Sequence, residues 1–117
     1  DGDAAMKPST DIFLTGSEAP WTDLGGGVKR QILAHDASVM LVRVIFEKGA
    51  VGAPHHHPHI QCTLVASGRF EVTIGERKAV LGAGDSFIVP TDVVHSVVAL
   101  EAGELVDTFA PRREDFL

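Results

Sequence analysis

The chain has a single cysteine, Cys62, and only ten Lys and Arg against sixteen Asp and Glu among its 117 residues. One thiol excludes an internal disulfide and fits a reducing compartment. The shortage of basic residues leaves a net charge of -6 with no basic stripe to follow a phosphate backbone, which excludes nucleic acid as the expected partner. No apolar run approaches the ~20 residues that a membrane-crossing helix needs. Asp1 to Thr10 also lacks the charged-then-apolar layout of a secretory signal. Internal repeats and low-complexity tracts are missing too. The expectation is a cytoplasmic protein with no membrane partner.

What is present fits one small core, since 44% of the residues are hydrophobic. Residues 1–11 read as a flexible N-terminal segment, with Met6 as the natural start and Asp1 to Ala5 as a tag remnant. Residues 12–117 read as one domain. Twelve Gly and six Pro divide Val-, Ile- and Phe-rich segments into pieces of strand length, so the fold class is all-β. Ser17 to Leu24 predicts a turn or short helical piece that packs Trp21 onto the body. Strands are then expected at 28–34, 39–47, 59–66, 69–74, 78–81, 86–89, 95–100 and 104–110. The intervals between them, including Gly49 to Pro54, Ser67-Gly68 and Ala102-Gly103, read as turns. Many short strands joined by tight turns imply a barrel or two-sheet jelly roll, which limits exposed edges. The segment 39–47 is apolar on both faces apart from Arg43 and Glu47, so it is covered twice or lies at a subunit interface. A symmetric homodimer is therefore expected.

Histidine carries the strongest functional signal. His55, His56, His57 and His59 fall within five positions, and His95 stands alone much later. In an extended strand His55, His57, His59 and Gln61 share one face, while His56 and Cys62 share the other. Two imidazoles one residue apart can grip a cation, and His95 is placed to close the set from another strand.

Gly49, five residues, His55, one residue, His57, three residues, Gln61, six residues and Gly68 resemble the first motif of the cupins, with Gln where Glu is usual. Gly84, five residues, Pro90 and then His95 resemble the second, with Asp92 where that motif commonly has Gly. The segments PWTDLGGGVKRQ, EKGAVGAPHHH, GRFEVTIGERK, GAGDSF and DTFAPRREDFL further resemble the KdgF-type cupins of pectin and alginate breakdown. That resemblance implies a single-domain jelly-roll barrel that converts 4,5-unsaturated monouronates into linear keto uronates. It implies metal ligation by His55, His57, Gln61 and His95, and functional roles for Asp107, Phe109 and Arg113.

Three neutral imidazoles and an amide oxygen suit one divalent transition metal ion, whether Zn, Ni, Fe, Mn or Co. A neutral Gln leaves the +2 charge uncompensated among the ligands, which favours Lewis acidity over the oxygenase chemistry found in other cupins. The substrate is a cyclic enol ether with a carboxylate, so its opening asks for a positioned acid, a polarised oxygen and a cationic clamp. Asp107 fits the acid, Phe109 an apolar wall and Arg113 the clamp. Without the resemblance, Phe109 reads as core and Arg112-Arg113-Glu114-Asp115 as a solvated charge cluster. His56 and His59 read as non-ligands, and Cys62 as a small buried hydrophobe. Another small-molecule cupin enzyme, a dioxygenase or isomerase, and a sugar-binding cupin without activity are the alternatives.

Overall fold

The computed structural model describes residues 8–117, so the expected start at Met6 and the assignment of Asp1 to Ala5 lie outside the described residues. Eight strands follow a short 3-10 turn at Gly16–Glu18: β1 (Trp21–Gly25), β2 (Val28–His35), β3 (Met40–Phe46), β4 (Val51–His55), β5 (Ile60–Ile74), β6 (Arg77–Gly82), β7 (Ser86–Val89) and β8 (His95–Ala110). A second 3-10 turn spans Glu114–Phe116. All strand pairings are antiparallel, in the order β1-β2-β3-β8-β5-β6, with β4 also on β8 and β7 also on β5. Among the described residues no helix is long and apolar enough to cross a membrane.

The two long strands make the jelly roll. The first half of β5 pairs with the second half of β8, beside β3 and β7, while their other halves pair beside β6 and β4. The sequence placed breaks at Ser67-Gly68 and Ala102-Gly103, whereas the structure carries each strand through as a bend. The register shifts there, and a Cβ on Gly103 would lie 2.8 Å from the Gly68 Cα, so only glycine lets the two backbones pass. The chain thus folds two sheets out of two continuous strands.

Two further segments differ from expectation. Val51–His55 is a strand, not a turn, because β4 lies at a sheet edge and its pairing with β8 skips Ala53 and Pro54. Trp21–Gly25 is likewise a strand, and Trp21 is 40% exposed at the other edge, with the Arg43 guanidinium 5.1 Å from its ring centroid. In β3 the inner side chains Met40, Val42 and Phe46 are buried, but Leu41, Arg43 and Ile45 stay half-buried. The described residues do not cover that outer face completely.

Inward residues alternate cleanly in β5 and β8, and they build the core. Val65, Phe70, Val72, Ala99 and Leu105 form its main cluster, while Met40, Val42 and Phe109 form a second one near the barrel mouth. The second cluster borders the histidines.

Candidate metal centre and substrate cavity

His55, His57 and Gln61 do not share one strand as the parity argument supposed. His55 ends β4, residues 56–59 form a corner, and Gln61 lies at the start of β5. The convergence comes from the corner and from register. His55 and His95 are cross-strand partners with ring centroids 4.2 Å apart, and His57 swings in to 4.8 Å from His95. The corner is pinned by the Asp92 amide, which donates to the His57 carbonyl at 2.8 Å. Asp92 holds a φ of 60°, a left-handed conformation that Asp tolerates better than most residues, which accounts for Asp at a position where glycine is usual.

The donor set fits a metal ion. Ligating atoms of His55, His57 and His95 lie within 4.8 Å of one another. Each ring can donate from Nδ1 to a main-chain carbonyl: His55 to Ala53 at 2.8 Å, His57 to His59 at 3.0 Å and His95 to Val93 at 2.9 Å. This arrangement leaves the three Nε2 atoms unprotonated and close together, as metal-binding imidazoles require. His95 Nε2 is buried and has no hydrogen-bond partner. Gln61 Oε1 lies 3.1 Å from His57 Nε2. With Nδ1 protonated, those are two acceptors facing each other. A cation between them resolves the conflict, since ligand bonds of ~2.1 Å at right angles separate ligand atoms by about 3 Å. Burial keeps His57 below the usual histidine pKa, and it pushes His95 down to about 4, aided by the charges of His55, His57 and Arg113. Both rings are therefore neutral at physiological pH, the state that binds metal.

His56 is exposed, with Nδ1 3.8 Å from the Asp92 carboxylate. His59 is half-buried at the site's border, its ring 5.5 Å from that of His57 and 6.5 Å from that of Phe109.

Asp107 stands next to this cluster. Its Oδ1 accepts from the Thr63 hydroxyl at 2.6 Å and from the Gln61 amide at 3.3 Å, while that amide also donates to Thr63 at 3.0 Å. Burial raises the Asp107 pKa to about 6, against the opposing pull of Thr63, Gln61 and Arg113. A carboxyl poised there can hold or release a proton near neutrality. Phe109 is both core and wall: it packs with Met40 and Val42, and its ring meets that of His57 edge-on at 5.6 Å.

The C-terminal arginines are not a solvated cluster. Arg112 is 2% exposed and reaches Glu114 at 2.6 Å and the Pro8 carbonyl at 3.3 Å. Arg113 is also buried, and its Nε and Nη2 donate to the two Asp115 oxygens at 3.0 and 2.8 Å. Its guanidinium lies 5.1 Å from the Phe109 ring centroid and 4.2 Å from that of Phe116. The turn after Pro111 folds back over the barrel mouth and brings these groups inside.

Together these residues line a cavity of about 230 Å³, shared by His55, Gln61, His95, Asp107, Phe109 and Arg113. This is smaller than pockets for drug-sized ligands and suits a single sugar ring. The predicted site residues therefore converge. Sequence reading missed Thr63, Arg30 and Phe116. The first two were detectable, because each is a polar residue at the inward parity of its strand, Thr63 next to Val65 and Arg30 between Val28 and Ile32. Phe116 follows the last strand in a 3-10 turn, where no periodicity exists to place it. Cys62 faces outward as parity requires, but it is exposed, because none of the described residues covers the outer face of β5 there.

Residues 42–109 match the family model described as Cupin domain. The chain is 45% identical over 107 residues to the pectin degradation protein KdgF of Dickeya dadantii (strain 3937), covering 90% of this chain and 97% of that protein. Among solved structures, KdgF from a Halomonas species is similar with a TM-score of 0.86 and 42% identity, covering 92% of this chain and all of that one. An RmlC-like cupin from Shewanella frigidimarina NCIMB 400 reaches a TM-score of 0.90 at 43% identity, covering 93% of this chain and 98% of that chain.

Proposed function

The chain belongs to the cupin family and, within it, to the KdgF-type pectin degradation proteins, and from that premise we propose that it is a metal-dependent enzyme that converts 4,5-unsaturated monouronates released by pectin or alginate lyases into linear keto uronates. The observation that carries this reading is the buried Asp107 carboxyl, bonded to the prospective ligand Gln61 and facing a sugar-sized cavity that also holds a guanidinium. A pure receptor for an anionic sugar has little use for a carboxylate in its pocket.

His55, His57, Gln61 and His95 would hold one divalent transition metal ion. When bound, it would supply Lewis acidity toward substrate oxygen. Protonated Asp107 delivers its proton to C4 of the enol ether while C5 gains the hydroxyl of a water molecule, whose other proton returns to the Asp107 carboxylate. The resulting hemiketal opens, breaking the bond from C5 to the ring oxygen and leaving the 5-keto acid. Phe109 gives the ring an apolar wall that excludes water from one face. Arg113, held by Asp115 along one edge of its guanidinium, keeps Nη1 for the substrate carboxylate.

The test is direct. Unsaturated monouronate freshly released by a lyase is followed by NMR with and without the metal-loaded protein. Formation of the linear keto acid is expected to accelerate over the spontaneous rate, and a rate equal to the no-protein control removes the enzyme reading in favour of a binding module.

The same reading places the enzyme in the cytoplasm, where an exposed thiol such as Cys62 stays reduced. It is also a homodimer in this proposal. Ile60, Leu64 and Ile88 project outward from β5 and β7 at 47, 46 and 59% exposure, and the patch continues across β8 to Leu41. Such a contiguous apolar face suits a symmetric partner. Light scattering at micromolar concentration should give a dimer for the parent and a monomer for Leu64→Asp. A monomeric parent defeats this assignment.

A further inference from the structure

We infer that Arg30 is a carboxylate-binding residue of the cavity, a second guanidinium that receives the acid group of the sugar at the end closed by Phe116. For its ligand class this rests on the uronate reading above. The residue itself is placed by four observations. Arg30 is a cation at the inward parity of β2, among the apolar side chains Val28 and Ile32. Its side chain lines the same cavity as Asp107 and His95. Its guanidinium carbon lies 3.8 Å from the Phe116 ring centroid, on the ring that also packs against Arg113. Its Nε is buried and has no hydrogen-bond partner.

The chain itself offers Arg30 no direct anionic partner among the described residues. Asp107 is engaged by Thr63 and Gln61, and Asp115 is held bidentately by Arg113. Two positive charges thus share one ring, and the one carboxylate bonded there, Asp115, is held by Arg113. The proximity is felt, since Arg30 is depressed from the ordinary arginine value first by burial and then by the Arg113 charge, with Asp115 only partly offsetting them. Stacking on Phe116 satisfies the face of a guanidinium but not its edge, where the N–H donors lie. A buried charged donor left without an acceptor is costly, and a planar carboxylate matches the guanidinium fork. Arg113 cannot fill this role alone, because Asp115 already occupies its Nε and Nη2 edge. A sugar acid that enters with its carboxylate toward Phe116 would answer the unpaired donor of Arg30 and leave its ring between Phe109 and the histidines.

The competing role for Arg30 is a prop that holds Phe116 in place, and the experiment separates the two. Metal-loaded protein is titrated with D-galacturonate and with its methyl ester, and binding is read by NMR. The parent should prefer the acid by at least about 10-fold. Arg30→Met should weaken acid binding about 10–100-fold and leave ester binding within about twofold, so that the preference collapses. Arg30→Lys, which keeps charge but loses the fork, should weaken the acid alone by a smaller factor, and it decides the matter should Arg30→Met fail to fold by circular dichroism. Equal losses on acid and ester, a preserved preference in either folded variant, or a parent that does not bind the acid or does not discriminate would each overturn the inference. No turnover enters this measurement, so a protein that fails to linearise its substrate yet shows the coupling sinks the proposed reaction and leaves Arg30 assigned.

Discussion

Exchanging Asp107 for asparagine tests the proton role and the electrostatics of the site together. The amide is nearly isosteric, and its Oδ1 can still accept from the Thr63 hydroxyl and the Gln61 amide, at present 2.6 and 3.3 Å away. The geometry should persist. Burial raises the carboxyl of the parent from 3.8 to about 6. Each pKa unit corresponds to about 1.36 kcal/mol, so ionised Asp107 costs the metal-free fold on the order of 3 kcal/mol. Because the folded-state pKa lies above the unfolded one, this cost is absent below pH 3.8, grows as pH rises, and is fully developed above about pH 6. Asparagine carries no such cost. After allowance for weaker hydrogen bonds, chelator-treated Asp107→Asn should be more stable than the parent at pH 7.5 by about 1–3 kcal/mol. Thermal melts should show a gain of roughly 4 °C per kcal/mol, shrinking toward pH 4. Metal-loaded Asp107→Asn should meanwhile form the linear keto acid ~10²–10⁴-fold more slowly, read by NMR against a no-protein control. A variant as fast as the parent refutes the proton role. A variant no more stable at pH 7.5 than at pH 4, relative to the parent, refutes the burial cost.

Two further outcomes bear on the metal and on the support beneath Asp107. Purified protein should carry close to one divalent ion per chain by elemental analysis, and His57→Ala or His95→Ala should lose it while keeping a β-rich circular dichroism spectrum; full retention by both removes the site. Thr63→Val takes away the shortest hydrogen bond to Asp107, so the carboxyl should climb further and move its limb of the pH–rate profile to higher pH, with a stability loss of about 1–2 kcal/mol. An unmoved profile shows that Thr63 does not tune Asp107.

The fold was legible because turn chemistry and alternation punctuate this chain at strand length, and the errors have one physical origin. Gly68 and Gly103 were read as turns, yet each serves the other: two backbones cross where neither can carry a side chain, and each strand continues through. Local sequence cannot distinguish a glycine needed for a turn from one needed for a close approach. The edge strand β4 was hidden for a related reason, since Pro54 forbids a ladder bond only if a partner stands opposite it, and the pairing with β8 steps past that position. The convergence of the candidate ligands was legible despite a wrong account of their geometry. Spacing singled them out, but a corner and the register between His55 and His95 bring them together. A role for Arg113 was readable only through resemblance, and the burial of Arg112 was not readable at all, because nothing local to a charged C-terminal run says that it packs inside a barrel mouth.

The glutamine at position 61 can be understood from the same contacts. A glutamate there would put a second carboxylate about as far from Asp107 as the Gln61 amide now lies, 3.3 Å, in a site where burial, outweighing the pull of Thr63, Gln61 and Arg113, already raises the Asp107 pKa to about 6. Two carboxylates so close cannot both ionise cheaply, and one would take up a proton and withdraw from either ligation or catalysis. The amide avoids the conflict with its two ends: Oε1 turns to His57 and the prospective ion, and Nε2 donates to Thr63 and Asp107. The negative charge that cupins usually place on the metal thus stands one residue further out, on Asp107. There it contacts the candidate ligand Gln61 rather than taking the ligand position itself, which in the proposed reaction would leave it free to exchange a proton. Gln in place of the usual Glu therefore leaves the one carboxylate beside the candidate ligands rather than among them, which is the arrangement the proposed proton transfer to a sugar carbon would use.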